Sequence, residues 1–315
     1  MSEATEEYHT PVLVERVVEF LALGPTRAEI MDGTVGGGGH SAAILQRIPE
    51  SRILAVDRDP EALERSREVL AAWEGRVRFL RARFDEAARG AGMLGPSLGG
   101  ALLDLGISSR QIDADRRGFA FRSGEAPLDM RMGGGAEGGP TAADILNQWE
   151  EEELARLFRE YGEEPRGRRL AAEVAKRRST RPLKTARDLL DAMSVAFRGK
   201  VGPKEKARVF QALRIQVNRE LESLEAALPL IREALLPGGV LVVIAYHSLE
   251  DRIVKHTLKD WSRSCICPPA LPVCRCRGEP LGTLLTRSVV RPTDSEVASN
   301  ARARSARLRA WQRAE

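Results

Sequence analysis

Along the first hundred residues, hydrophobic and polar positions follow two alternating rhythms. Short apolar runs of strand length occur at Ala28–Asp32, Arg52–Asp57, Val77–Arg81 and Gly100–Leu105. Between them lie stretches with helical spacing, Ser41–Arg47 and Pro60–Trp73, the second carrying Ala62, Leu63, Val69 and Leu70 as its apolar positions. Strands alternating with helices predict a parallel sheet covered on both faces. Right-handed crossovers then place the strand C-terminal ends, and the loops that follow them, along one rim.

That rhythm stops at Gly106. Residues 107–139 read as loop and close in a glycine-rich run from Gly133 to Gly139. Thr141 is an N-cap for a helix through Gln148, and helical stretches follow at 150–161, 166–179 and 185–197. One long helix is expected from about Lys204 to Leu228. Its stripe of Phe210, Leu213, Val217, Leu221, Leu224 and Leu228 is a packing face. After Pro237-Gly238-Gly239 the strand rhythm resumes at Val240–Ala245. The expected fold class is α/β, a Rossmann-like doubly wound sheet interrupted after its fourth strand by an all-helical insertion. Residues 1–112 form the first part, 113–215 the insertion, and 216–315 the second part with a basic C-terminal tail.

Composition narrows this little. The 315 residues are 43% hydrophobic and 30% charged, which suits a globular chain with a sizeable core and excludes a disordered or collagen-like one. No apolar run approaches the ~18–20 residues of a membrane helix. The acidic N-terminus lacks the basic and apolar regions of a secretory signal, so a cytoplasmic location is expected. Charge says more. The net value is only +4, yet residues 165–187 carry nine Lys/Arg against the single acid Glu173, and residues 302–313 carry five arginines and no acid. Two such clusters suit a polyanion such as RNA or DNA, or form solvated helix faces.

The most informative segment is Asp32-Gly33-Thr34-Val35-Gly36-Gly37-Gly38-Gly39-His40, between the first strand and the first helix. Glycines there let backbone approach a ligand, and the helix N-terminus offers free N–H donors. Asp57 ends the second strand, 18 residues past Gly39, where a carboxylate can accept from both hydroxyls of a ribose. A dinucleotide fingerprint is not met, because the register Gly36-x-Gly38 puts Ser41 at its last position. Asp32 directly before the glycines would repel a pyrophosphate but can meet the ammonium of an amino-acid moiety. S-adenosylmethionine is therefore favoured over NAD.

The fourth strand leads into Asp104-Leu105-Gly106-Ile107-Ser108-Ser109 and then Gln111. An exocyclic base amine is a poor nucleophile, because its lone pair is delocalised into the ring. It needs an acceptor that holds its proton and aligns the lone pair with the methyl group. Asp104 is the candidate catalytic residue, with Ser108 or Ser109 as lesser options; a purely cofactor-orienting or turn-capping role for Asp104 stays open.

With these segments in view, the chain resembles the MraW/RsmH type of 16S ribosomal RNA (cytosine N4) methyltransferase. The resemblance runs nearly end to end, through His9–Leu13, Asp32–His40, Asp57–Pro60, Asp104–Ser109 with Gln111, Arg117–Phe119 and Pro127–Met132. It continues through Tyr161–Glu164, Val217–Leu221, His247–Arg252 and Arg302–Ser305. It implies a class-I methyltransferase using S-adenosylmethionine. The implied reaction is direct methylation, without a covalent enzyme–base intermediate, of the N4 amine of a decoding-centre cytidine, position 1402 in the usual rRNA numbering. The partner is 16S rRNA within the small ribosomal subunit. Implied cofactor contacts are Gly38, Gly39, His40, Asp57, Phe84, Asp104 and Gln111; from the residues alone, Asp85 is the alternative to Phe84 beside the adenine. Tyr246 stands where the family usually has Phe, and Ala301 where it often has Pro. Neither lies in the glycine loop, so neither puts the activity in doubt.

Other residues are less telling. His247, on the functional rim, can contact RNA or cap the helix starting near Ser248; His256 reads as helix surface, and His9 has no assigned role. Cys265, Cys267, Cys274 and Cys276 can bind zinc, form disulfides, or remain free thiols on the substrate side. Free thiols come first, and no metal is assigned, because methyl transfer needs none. The two basic runs are expected to contact rRNA phosphates, Arg168, Arg169, Arg177 and Arg178 among them, with the target cytosine extruded into the pocket. Three other classes are disfavoured. A DNA methyltransferase would carry a [DNS]-P-P-[YF] stretch; a silent ribosome-binding protein would not need the intact loop and Asp57; a nicotinamide dehydrogenase conflicts with Asp32 and Ser41.

Overall fold

The structure, a computed structural model, describes residues 11–93, 95–107, 117–119, 124–135, 138–199, 201–267 and 275–315. The chain divides into two compact units, Met1–Gly106 with Glu222–Glu315, and Ile107–Leu221. These limits stand against sequence boundaries at 112/113 and 215/216.

In the first unit, α1 (Val14–Leu21) precedes β1 (Glu29–Asp32), α2 (Gly39–Arg47), β2 (Arg52–Asp57), α3 (Pro60–Val69), β3 (Val77–Arg81), α4 (Phe84–Met93) and β4 (Leu98–Asp104). The sheet order is β3-β2-β1-β4-β5-β7-β6, with β5 (Leu235–Ala245), β6 (Gly282–Leu284) and β7 (Arg307–Arg313) supplied by the C-terminal part. Strands β1 to β5 are mutually parallel, while β7 pairs antiparallel with both β5 and β6. Winding reverses between β1 and β4, and in such sheets the crevice beyond the strand C-termini at that switch is where ligands sit.

Period-2 alternation divides the apolar residues between the two faces. Met31, Leu54, Val56, Leu103, Leu241 and Val243 join one cluster, which also takes Trp261 and Trp311. Ile30, Ile53, Ala55, Leu102, Val242 and Ile244 join the other. Because both faces are covered, β4 is buried along almost its whole length, which explains why its sequence is a continuous apolar run.

The C-terminal part departs from the sequence reading. The run 302–313 is not a free basic tail: Arg307–Arg313 is a sheet strand, with Leu308, Ala310 and Trp311 fully buried. Arg309 forms a two-pronged pair with Asp251 (2.7 and 3.3 Å). Arg313 donates to the carbonyls of Arg232, Glu233 and Leu235.

The second unit holds α5 (Ala142–Gln148), α6 (Glu151–Glu160), α7 (Gly167–Arg178), α8 (Ala186–Ala196) and α9 (Pro203–Asn218), around a core that includes Phe158, Leu170, Leu189, Met193, Phe210 and Leu213. Thr141 caps α5 in a capping box with Asp144, as its sequence position implies. The expected long helix is two: α9 ends at Asn218, Arg219 takes a left-handed backbone (φ 52°), and α10 spans Glu220–Ala234. Asn218 is buried. Its amide donates to the carbonyls of Met130 and Arg214, and its oxygen accepts from Met132 N–H, all at 2.8 Å.

Candidate functional site

Three strand ends and one loop build the site. After β1 the chain turns through Gly33, where an added Cβ would fall 2.6 Å from a Leu103 methyl and 3.1 Å from Phe84 Cβ. Gly38 adopts φ 85° as the N-cap of α2, a conformation that disfavours any side chain. The backbone ladder of α2 begins with Ala42 N–H donating to Gly38 O (2.8 Å). The N–H groups of Gly39, His40 and Ser41 precede that bond and form the donor-rich helix terminus.

Asp32 organises this loop from within. It is 1% exposed; Oδ2 accepts from the Ser41 hydroxyl (2.6 Å) and Oδ1 from Thr34 N–H (3.3 Å). Burial lifts its carboxyl above the usual range, against the pull of Ser41 and His40. The expectation that Asp32 meets a ligand ammonium is corrected, since the carboxylate is buried and already engaged. Ser41, the residue that broke the dinucleotide pattern, is its hydrogen-bond partner.

Asp57 closes β2. Its Oδ2 accepts from Gly36 N–H and its Oδ1 from Asp59 N–H, each at 2.9 Å. Desolvation outweighs both bonds and pushes the carboxyl up to about 6. The first amide contact tethers the glycine loop to the strand end, so Asp57 shapes the loop as well as facing the rim. Phe84 stands half-buried at the start of α4 beside Gly33. The alternative, Asp85, has both oxygens on Arg83 (2.9 and 2.8 Å), and Arg83 also donates to Ser223. That pairing leaves Phe84 as the residue next to the loop.

Asp104 closes β4. Its N–H donates to the Thr34 hydroxyl (2.7 Å), and its Oδ1 accepts from the Tyr246 hydroxyl (2.9 Å). His40 is buried, with Nε2 at 2.9 Å from Val12 O; a carbonyl only accepts, so Nε2 carries the hydrogen. The other ring nitrogen, Nδ1, lies 3.6 Å from Asp104 Oδ2, within reach of its charge but beyond a hydrogen bond. Burial holds the Asp104 carboxyl above its usual range, while His40 and then Tyr246 draw it back. Burial and the neighbouring Asp104 raise the Tyr246 phenol, so it stays protonated and donates.

Tyr246 is the residue the sequence reading undervalued. Its hydroxyl reaches the candidate catalytic carboxylate. His247 takes the capping option: Nδ1 accepts from Glu250 N–H (3.4 Å), while Glu250 accepts from the backbone N–H of Tyr246 and His247. The helix so capped is α11 (Ser248–Trp261). His256 lies exposed on that helix. Gln111, Ser108, Ser109, His9 and Cys274 lie outside the described residues.

A glycine-lined helix terminus, a carboxylate on the next strand and a second carboxylate at the switch point agree with what the sequence comparisons give. The MraW methylase family matches residues 6–314. The chain belongs to the MraW methylase family. A relative from Gemmatimonas aurantiaca, named ribosomal RNA small subunit methyltransferase H, is 48% identical over 315 residues, covering 99% of this chain and 98% of its own. One of the same name from Syntrophotalea carbinolica is 47% identical, with 97% and 98% covered. Among solved structures, an rRNA methylase from Streptococcus thermophilus aligns over 96% of each chain at 10% identity, with a TM-score of 0.43.

As a member of this family the protein is a methyltransferase, with S-adenosylmethionine as its cofactor and a class-I sheet carrying an all-helical insertion. Its residues fit that cofactor. The α2 terminus presents backbone donors where a carboxylate can dock. Asp57 is a strand-end acceptor that backbone N–H groups already hold in place. Among the described residues no helix is long and apolar enough to cross a membrane.

Proposed function

We propose that the protein methylates the exocyclic N4 amine of a cytidine in the decoding centre of 16S rRNA, position 1402 in the usual numbering, acting in the cytoplasm on the small ribosomal subunit. The names of its relatives support ribosomal RNA as the substrate. What carries the chemical reading is Asp104, a half-buried carboxylate at the switch point, fixed by Tyr246 on one oxygen and approached by His40 on the other.

When bound, S-adenosylmethionine supplies a methyl group on a positively charged sulfur. The chain does the rest. Gly38, Gly39 and His40 contribute the α2 terminus and its backbone donors. Asp57 accepts from the ribose hydroxyls, Phe84 packs against the adenine, and Gln111 completes the set of contacts. Asp104 accepts a hydrogen bond from the cytosine amine, which turns the nitrogen lone pair out of conjugation. As the N–C bond forms, the methyl–sulfur bond would break, its electron pair staying on sulfur so that the neutral thioether S-adenosylhomocysteine leaves; the N–H bond breaks and its proton passes to the Asp104 carboxylate, then to solvent. The amine is itself the nucleophile, so no covalent enzyme–base intermediate is required. All four cysteines lie at 265–276, away in sequence from the loop and strand ends that form the site. In this reading, residues 113–215 are the substrate-recognition insertion.

The test is methyl transfer to small ribosomal subunits that lack the modification, followed by nuclease digestion and mass spectrometry. N4-methylcytidine is expected with the intact protein and absent with Asp57→Ala. Methylation of another base, or at carbon 5 of cytosine, would refute the reading.

A further inference from the structure

All four cysteines of the chain lie within twelve residues, and the structure gathers those it describes. Cys265, Cys267 and Cys276 place their sulfurs within 4.8 Å of one another. They come from two arms of chain, one leaving α11 and the other returning toward β6. The Sγ atoms of Cys265 and Cys276 are 3.8 Å apart. A disulfide would need roughly 2.0 Å. With zinc–sulfur bonds of about 2.3 Å, two corners of a tetrahedron lie roughly 3.8 Å apart. The observed spacing is that edge.

The surroundings suit thiolates. Ile266 N–H, on the first arm, points at Cys276 Sγ on the second (3.4 Å), and Arg275 N–H, on the second arm, points at Cys267 Sγ on the first (3.4 Å). Such reciprocal N–H···S contacts place positive dipole ends on sulfurs that carry charge when metallated, as outer-shell donors do at metal centres. The arms are also tied at their base: Arg277 donates to the carbonyls of Asp260, Trp261 and Arg263 at the end of α11. Ile266, the one large aliphatic between the first two cysteines, is 49% exposed. A bound metal is a common way for a short segment to recover its ordering entropy.

We propose that Cys265, Cys267 and Cys276 bind one zinc ion, which clamps the two arms between α11 and β6. Soft thiolate donors select zinc over the hard cations. The ion is structural; methyl transfer is carried by the other groups described above. This replaces the first reading of these residues as free substrate-side thiols.

The experiment uses the full-length protein, purified without a polyhistidine tag and dialysed against metal-free buffer. Elemental analysis should find about one zinc per chain, as a single thiolate site requires, and the Cys265→Ser/Cys276→Ser double variant should retain less than a tenth as much. Exchange of cobalt(II) into the wild-type chain should give a sulfur-to-metal charge-transfer band and tetrahedral d–d bands. That readout does not depend on the variant folding. Removal of the metal should speed proteolytic cleavage between Ser264 and Arg277 several-fold and leave cleavage of the helical unit unchanged. A wild-type chain that carries no zinc and gives no charge-transfer band with cobalt, or a disulfide found by mass spectrometry among these cysteines, would overturn the proposal.

Discussion

Asp32, Asp57 and Asp104 are all lifted by burial, and the partners of each decide what its protonation does. Asp57 titrates at about 6 while accepting two backbone N–H groups. Below that value one oxygen carries a proton and no longer accepts from a ribose hydroxyl. The dissociation constant for S-adenosylmethionine, measured by calorimetry, should be flat above about pH 7 and rise as pH falls through 6. Asp57→Asn should flatten that dependence and weaken binding by about 1.5–3 kcal/mol, the range for hydrogen bonds to a charged group. The fold is not the cause: a carboxyl raised in the native state stabilises it most below about pH 4 and progressively less as pH rises through 6. Asp104 responds differently, because the Tyr246 hydroxyl lowers its pKa against burial. Tyr246→Phe removes that donor, so Asp104 should ionise at higher pH. The acidic limb of the kcat profile should move upward while the KM for S-adenosylmethionine stays near the wild-type value. An unmoved limb would mean that Asp104 does not accept the proton.

At the scale of elements, β7 shows why part of the fold was hidden in the sequence. The parallel strands β2 and β4 are buried on both faces and read as continuous apolar runs. β7 interleaves Arg307, Arg309 and Arg313 with Leu308, Ala310 and Trp311, so by composition it resembles a charged tail. Its arginines are satisfied by Asp251 and by the carbonyls of Arg232 to Leu235, partners that no local window reveals. Trp311 is fully buried, edge-on to Trp261 at 5.1 Å, and donates to Ser262. Trp311→Ala should therefore cost about 3–5 kcal/mol in chemical denaturation, as large-to-small core changes do, where a tail residue would cost almost nothing. The split between α9 and α10 was hidden for a related reason. Apolar spacing continues across Arg219, and the break is set by Asn218 reaching Met130 and Met132, some 86 residues away in sequence. Several resemblance motifs explain themselves here as scaffold: Arg117 donates to Met132 O, and Glu164, fully buried, pairs with Arg166.

For the whole molecule, the glycine loop and Asp57 were legible because backbone freedom and strand-end position are local properties. The Asp104–Tyr246–His40 cluster was not, since the bond between Asp104 and Tyr246 alone joins residues 142 apart in sequence. Charge shows the same limit. Residues 165–187 are strongly basic, but much of that charge is spent inside the helical unit. Arg177 pairs with Glu173 at 2.6 Å, and Arg178 donates to the carbonyls of Leu146 and Trp149 at the end of α5. Arg166 bonds Glu164 and stacks over Phe197 at 3.9 Å. Arg168 and Arg169, by contrast, are exposed and make no side-chain hydrogen bond or ion pair among the described residues. The four arginines grouped by sequence therefore separate into two that hold the unit together and two that can meet phosphate. Each phosphate contact releases counterions and steepens the salt dependence of binding by about 0.7–0.9 in the log–log slope. Arg168→Gln/Arg169→Gln should lower the slope for small-subunit RNA by about 1.4–1.8, with the melting temperature unchanged. Arg178→Gln should do the reverse, lowering the melting temperature and leaving the slope within error of wild type. An unchanged slope in the double variant would remove the N-terminal turns of α7 from the RNA-binding surface.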